Sequence, residues 1–149
     1  MVTKILVPVD GSEVSQKAAQ YAVGLAKQTG ATLIFMSVID KRSLAELRIL
    51  ATKSPTFLVE PVEEYLNRSA LSATKEAEKL CEHENLQYTA KIRLGHPVEE
   101  IVNEAADSKV DLIVMGSHGA SALKAAVLGS VAYGVMHKES DIPVLIVRR

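Results

Sequence analysis

Val110-Asp-Leu-Ile-Val-Met115 runs directly into Gly116-Ser-His-Gly-Ala-Ser-Ala-Leu-Lys-Ala-Ala-Val-Leu-Gly-Ser130. A short apolar run that stops at glycine reads as a buried strand feeding a turn. Gly116 and Gly119 stand three apart, and Gly129-Ser130 follows ten residues later. Such spacing suits an anion cradle. Glycine lets backbone N–H groups turn toward a ligand that a Cβ would exclude, and the helix start that follows adds the positive end of its dipole.

Working outward, other apolar runs alternate with helical patterns. Lys4-Ile-Leu-Val-Pro-Val9 is β-branched and apolar on both faces, as in an interior parallel strand, and it stops at Asp10-Gly11-Ser12. Ser12 is a good N-cap, Glu13 complements the dipole, and alanines from Ala18 to Ala26 give a small-residue face, predicting a helix from Ser12 to Thr29 before Gly30. Residues 31–39 read as a second strand ended by Asp40. The segment Lys41 to Glu60 is punctuated by Ser54-Pro55 and Glu60-Pro61; it reads as a surface excursion, although 42–51 also suits a short helix. Pro61 fits N1 of a long helix to about His83, lined by Val62, Leu66, Ala70, Ala73, Ala77 and Leu80.

Gln87 to Leu94 alternates more than the other strands, which predicts an edge position. After Gly95-His96, Pro97 opens a helix to about Ser108, and Val110 to Met115 is the fourth strand. A helix after the glycine stretch is expected to turn Val131, Val135 and Met136 inward, and Val144 to Val147 is the fifth strand. The alternation predicts an α/β fold, an open five-stranded parallel sheet with helices on both faces. Right-handed crossovers and a mid-sheet reversal place a ligand crevice beyond the carboxyl ends of the first and fourth strands. Asp10 and Gly116 to Ser130 are expected to meet there.

Composition narrows the classes. A formal net charge of -1, with no run of Lys or Arg, gives no electrostatic footprint for nucleic acid. Cys81 is the only cysteine, so an intramolecular disulfide and a cysteine zinc cluster are excluded, and a cytoplasmic setting is expected. The opening residues lack the pattern of a signal peptide, and no apolar stretch approaches a membrane span.

These residues resemble the universal stress protein family, whose nucleotide-binding members carry Gly-x2-Gly-x9-Gly-Ser/Thr after the fourth strand. Gly116, Gly119, Gly129 and Ser130 match it. The likeness extends through Ile5 to Ser12, Gly95 to Pro97, Asp111 to Gly119, Leu128 to Val131 and Pro143 to Arg148, essentially the whole chain. It implies one domain over 1–149, strand order 3-2-1-4-5 as in adenine nucleotide alpha hydrolase-like proteins, and a cytosolic stress-response regulator that binds ATP or a related adenine nucleotide. By position, Pro8, Asp10 and Val38 stand on the adenosine side. Met115, Gly116, His118, Gly119, Gly129, Ser130 and Val131 complete the site on the ribose and phosphate side. Asp10 is then expected to meet the ribose or a nucleotide-bound magnesium ion. The resemblance also implies a homodimer through the last strand, which agrees with an apolar edge at Val144 to Val147.

Several features leave other readings open. Ala120 stands where many such relatives have Arg or Lys, and Ala132 where a second hydroxyl is common, with Lys124 one turn away as a substitute charge. A Walker A loop is absent, and no general base or arginine clamp accompanies the glycines, so at most slow ATP hydrolysis is expected. His118 has no carboxylate partner identifiable in sequence and reads as placed by its backbone near the ribose. His83, His96 and His137 lack metal-ligand spacing, and Cys81 reads as a small core residue. A nucleotide-independent dimeric interaction protein is the other open reading.

Overall fold

The computed structural model describes residues 1–53, 60–118, 128–139 and 141–148. In chain order the elements are β1 (Lys4–Pro8), α1 (Glu13–Thr29), β2 (Thr32–Asp40), α2 (Lys41–Lys53) and α3 (Val62–Glu78), which tightens into a 3-10 turn at Lys79–Cys81. Then follow β3 (Tyr88–Gly95), α4 (Pro97–Asp107), β4 (Leu112–Gly116), α5 (Ser130–Lys138) and β5 (Val144–Val147). The five strands form one parallel sheet in the order β3-β2-β1-β4-β5, as predicted.

Alternate side chains along each strand point to opposite faces. Ile5 and Val7 of β1 therefore join Phe35 and Val114 in a core under α1 and α3, whereas Leu6 joins Met36, Ile113 and Met115 under α4 and α5. Ser12 caps α1, its hydroxyl accepting from the Ser15 N–H at 3.2 Å, and Gly30 ends the helix at φ 78°. Ala18, Ala19, Ala22 and Ala26 are fully buried, and short side chains let the helix lie close on the sheet. Cys81 is buried in the same core, and burial, with Glu78 and Glu84 nearby, pushes its thiol up to about 11.

The excursion expected from Lys41 to Glu60 is corrected over its first part, because Lys41–Lys53 is a 13-residue helix. Asp40 starts it. Its carboxylate accepts from the Arg42 backbone N–H at 2.9 Å and pairs with the Arg42 guanidinium, whose hydrogen bond holds Asp40 below its usual range. Residues 54–59, including Ser54-Pro55, lie outside the described residues. Beyond them Pro61 occupies the N-cap of α3 rather than N1, and α3 ends before His83, where His83 and Asn85 take positive φ. Met136 also departs from expectation: it is 47% exposed, while its neighbour Val135, about a quarter of a turn away, is fully buried.

β3 lies at a sheet edge, as its alternation predicted, and is fastened to α4 by charge. Glu104 of α4 is fully buried; it accepts from Lys91 Nζ at 2.6 Å and from Ser108 Oγ, and pairs with Arg93 at 2.7 Å. Burial pushes the Glu104 carboxyl up, but the Lys91 and Ser108 hydrogen bonds and the two cations outweigh it and hold it below 4.5. A depressed native value gives stability above the ordinary carboxylate range that is lost as pH falls through the native value. Glu104→Gln keeps the volume and removes the charge. We expect it to cost about 1–3 kcal/mol at neutral pH. In denaturant titrations the gap to the parent should narrow below pH 4.5.

Candidate functional site

Chain order and sheet order diverge at β1. The path goes outward from β1 through β2 to β3, then crosses back to place β4 on the other side of β1. The connections leaving β1 and β4 therefore turn to opposite faces and part beyond the strand ends, leaving a crevice. A cavity of about 140 Å³ occupies it.

Its walls come from both chain directions. Val9 and Asp10 follow β1, Met115 and Gly116 end β4, and His118 lies just past them. Met36 and Val38 of β2 and Ile101 of α4 add an apolar wall, with Val131 and Ala132 of α5 opposite the strand ends. Apolar walls with a few polar atoms are the usual make-up of a small-molecule site. The polar side chains here are Asp10, Ser15 and His118.

Asp10 is held in a turn. One of its carboxylate oxygens accepts from the Ser12 N–H at 2.9 Å, and its own N–H donates to Ser15 Oγ at 3.3 Å. Ser15 Oγ in turn donates to the Ser12 carbonyl at 3.0 Å. The carboxylate stays exposed at the cavity edge. Across the cavity, no side chain caps α5, whose N-cap is Gly129. The Tyr133 N–H closes the first helical bond onto the Gly129 carbonyl at 2.9 Å, so the N–H groups of Ser130, Val131 and Ala132 precede the hydrogen-bond ladder. Such a helix start favours an anion.

Of the residues named from the sequence, Pro8, Asp10, Val38, Met115, Gly116, His118 and Val131 line this cavity. Gly129 and Ser130 open α5 but are not among its lining residues. Gly119, Ala120 and Lys124 lie outside the described residues. Among the lining residues, sequence reasoning missed Val9, Ser15, Met36, Pro97 and Ile101. Met36 was accessible, because it stands two residues before Val38 and strand period puts both on one face. Pro97 and Ile101 lie four apart on α4 and so share a helical face; only the crossing of α4 over the sheet brings that face to the cavity.

The two described motif glycines also have a packing role. An added Cβ at Gly116 meets Val14 Cγ1 at 2.7 Å and the Val14 carbonyl carbon at 3.2 Å, where α1 crosses β4. One at Gly129 meets His118 Cα at 2.7 Å and the Ser117 carbonyl oxygen at 3.2 Å. Gly129 donates its N–H to that same carbonyl.

The description of the family model that matches residues 1–148 is the universal stress protein family. The chain belongs to this family. It is 36% identical over 157 residues to universal stress protein MJ0577 of Methanocaldococcus jannaschii, covering 100% of this chain and 96% of that one. It is likewise 36% identical over 155 residues to universal stress protein YxiE of Bacillus subtilis, covering 99% and 100%. The solved MJ0577 structure superposes with a TM-score of 0.77 at 33% identity, covering 100% of this chain and 97% of that one. A universal stress protein in complex with cAMP superposes at 0.63 with 25% identity, covering 99% and 97%.

The packing at Gly129 makes a prediction for protein free of any ligand. Gly129→Ala should cost about 1–3 kcal/mol through overpacking. Thermal unfolding should fall by roughly 2–4 °C for each kcal/mol. An unchanged midpoint in ligand-free protein would show that the glycine is not required for packing.

Proposed function

We propose that this universal stress protein holds an adenine nucleotide between the ends of β1 and β4 and works as a nucleotide-responsive regulator in stress. The observation that carries the proposal is the pairing of an apolar slot with an uncapped helix start at one switch point. The slot, at about 140 Å³, suits a planar base and leaves the sugar and phosphates to its open edge. Met36, Val38, Ile101 and Met115 would cover the base. Asp10 would accept from a ribose hydroxyl, or meet a magnesium ion carried by the phosphates. The N–H groups of Ser130, Val131 and Ala132 would face phosphate oxygens, beside Gly116 and Gly129. The complex of a family member with cAMP supports the adenine nucleotide class.

The chemistry around the cavity favours holding over turnover. Phosphoryl transfer draws on cationic clamps, metal ions and a base in register. Among the described lining residues the ionisable side chains are Asp10 and His118. No group of three His, Cys, Asp or Glu suited to a metal occurs among the described residues, so a magnesium ion would draw most of its oxygens from the nucleotide and water. No described helix is long and apolar enough to cross a membrane.

Protein stripped of ligand tests the reading directly. A ligand at a hundred times its dissociation constant adds about 2.7 kcal/mol. ATP with magnesium should therefore raise the melting temperature by roughly 5–10 °C for a chain of this size. No rise at saturation overturns it. Asp10→Asn keeps an oxygen for the Ser12 N–H and removes the charge, so the fold should survive. Nucleotide affinity should fall about ten-fold or more, the worth of a charge-assisted hydrogen bond.

We also propose that β5 pairs with a second copy. It lies at the sheet edge with Val144 to Val147 all half-buried, and the neighbouring α5 exposes Tyr133 and Met136. Sedimentation equilibrium should return twice the chain mass at micromolar concentration. A monomer would refute the pairing.

A further inference from the structure

Two of the described glycines lie inside helices, Gly24 of α1 and Gly134 of α5. Glycine weakens a helix interior relative to alanine, because it has more backbone freedom to lose. Gly134 stands in the middle of α5 and does not take positive φ, so neither a helix end nor the left-handed region calls for it. Its surroundings do. A Cβ at residue 134 meets Val98 Cγ2 of α4 at 2.6 Å, Val98 Cγ1 at 3.3 Å and Val98 Cβ at 3.5 Å, whereas one at Gly24 meets nothing within 4 Å. α5 thus crosses α4 at a distance that leaves no room for a side chain at 134.

Val98 has little means of giving way. A β-branched side chain in a helix is held to one strongly preferred rotamer, and both methyls of Val98 lie within 3.3 Å of the added atom. Room for a side chain has to come from the backbone, by moving the first turn of α4 away from α5. The ion pair that also joins these helices, Lys138 to Glu99 at 3.7 Å, is exposed on both sides and restrains them weakly.

The first turn of α4 is also a wall of the cavity. Pro97, next to Val98, and Ile101, about one turn on, line it from α4. Val131 and Ala132 line it from α5, and Val131 lies about one turn before Gly134. The residues that set the approach of the two helices therefore alternate with those that line the slot. Gly134 itself is not a lining residue.

We infer that Gly134 is a positioning residue: by letting α5 close on Val98, it sets how near α4 stands to α5 and so the width of the apolar slot that takes the base. It acts through Val98 on Pro97 and Ile101. The effect on binding rests on the nucleotide reading, whereas the spacing of the walls is a property of the ligand-free protein. A gap of about 0.5–1 Å between packed surfaces forfeits a quarter to a half of their dispersion attraction, so a widened slot holds a flat base less well.

The test compares the parent with Gly134→Ala, with Gly134→Ala combined with Val98→Ala, which removes the methyls that the new side chain would strike, and with Gly24→Ala, a helix glycine with open space around it. In ligand-free protein labelled at the Ile and Met methyls, Ile101, Met36 and Met115 report on the slot. Their resonances should shift in Gly134→Ala, return toward the parent in the double variant and stay in place in Gly24→Ala. ATP with magnesium is then titrated by calorimetry well below each unfolding midpoint. Binding should weaken about ten-fold in Gly134→Ala and come back to within about two-fold of the parent in the double variant. A loss of stability alone would lower the midpoint and leave that affinity unchanged. Unmoved slot methyls in folded Gly134→Ala overturn the inference, as does an affinity that the second substitution does not restore. If Gly134→Ala does not fold, a folded double variant with the parent's methyl positions supports the inference, and a double variant that also fails to fold overturns it. If the parent itself does not bind ATP, methyls that shift and return still support the spacing role, and the nucleotide reading alone falls.

Discussion

The end of β4 is the point on which the site depends, and it is held there by close backbone approach. Ser117 reaches β5 through its N–H and the start of α5 through its carbonyl, while Gly116 lets α1 come within contact of the strand. The approaches at Gly116 and Gly129 leave no room for a Cβ. A methyl at residue 116 would meet the α1 backbone, and one at 129 would meet the backbone of His118. The same restriction brings the first turn of α5 to the cavity, because Gly129 can sit on the Ser117 carbonyl only without a side chain. Packing and cradle are one arrangement of backbone seen from two sides.

The edges of the sheet are treated differently, and the difference follows from side-chain chemistry. β3 carries Lys91 and Arg93 toward the buried Glu104, so that edge is charged and tied to its own helix. Removing one partner of such a cluster costs more than the cluster contributes, which makes it a determinant of position rather than a large source of stability. β5 has no comparable charge in Val144 to Val147 and stays half-buried along its length. An apolar edge of that kind is the surface on which a parallel α/β sheet is open to pairing.

Sequence legibility followed the range of the interactions. Strand and helix alternation, the N-cap at Ser12, the stop at Gly30 and the edge character of β3 all come from local pattern, and each appears in the structure. Where a local pattern competed with punctuation, the reading failed. Asp40 caps α2 from the strand before it, outweighing the prolines that suggested an excursion. Met136 was expected to face the core with Val131 and Val135, but α5 is only nine residues long and buries Ala132 and Val135, leaving Met136 exposed. The cavity lining was legible where a residue ends a central strand, as at Asp10 and Gly116. It was illegible where tertiary crossing decides, as for Ile101 and Pro97, and for the Glu104 cluster, whose members lie on two elements.

The glycine spacing that first suggested an anion cradle is thus compatible with a structure that needs two of the glycines without any ligand. Packing alone, however, does not account for what surrounds them. A helix start placed against the end of a central strand is ordinarily capped by a hydroxyl or carboxylate, since its first N–H groups otherwise lack partners. Here the cap is Gly129, no side chain serves in its place, and the imidazole beside it carries a buried nitrogen without a partner. Local stability alone would favour serine or aspartate over glycine at the cap and an apolar residue over histidine in the wall. Glycine is kept at the cap by the approach to Ser117, but that approach does not require histidine at 118. A helix start without a side-chain cap, set beside an apolar slot, is the arrangement that the proposed holder of a base and its phosphates would use.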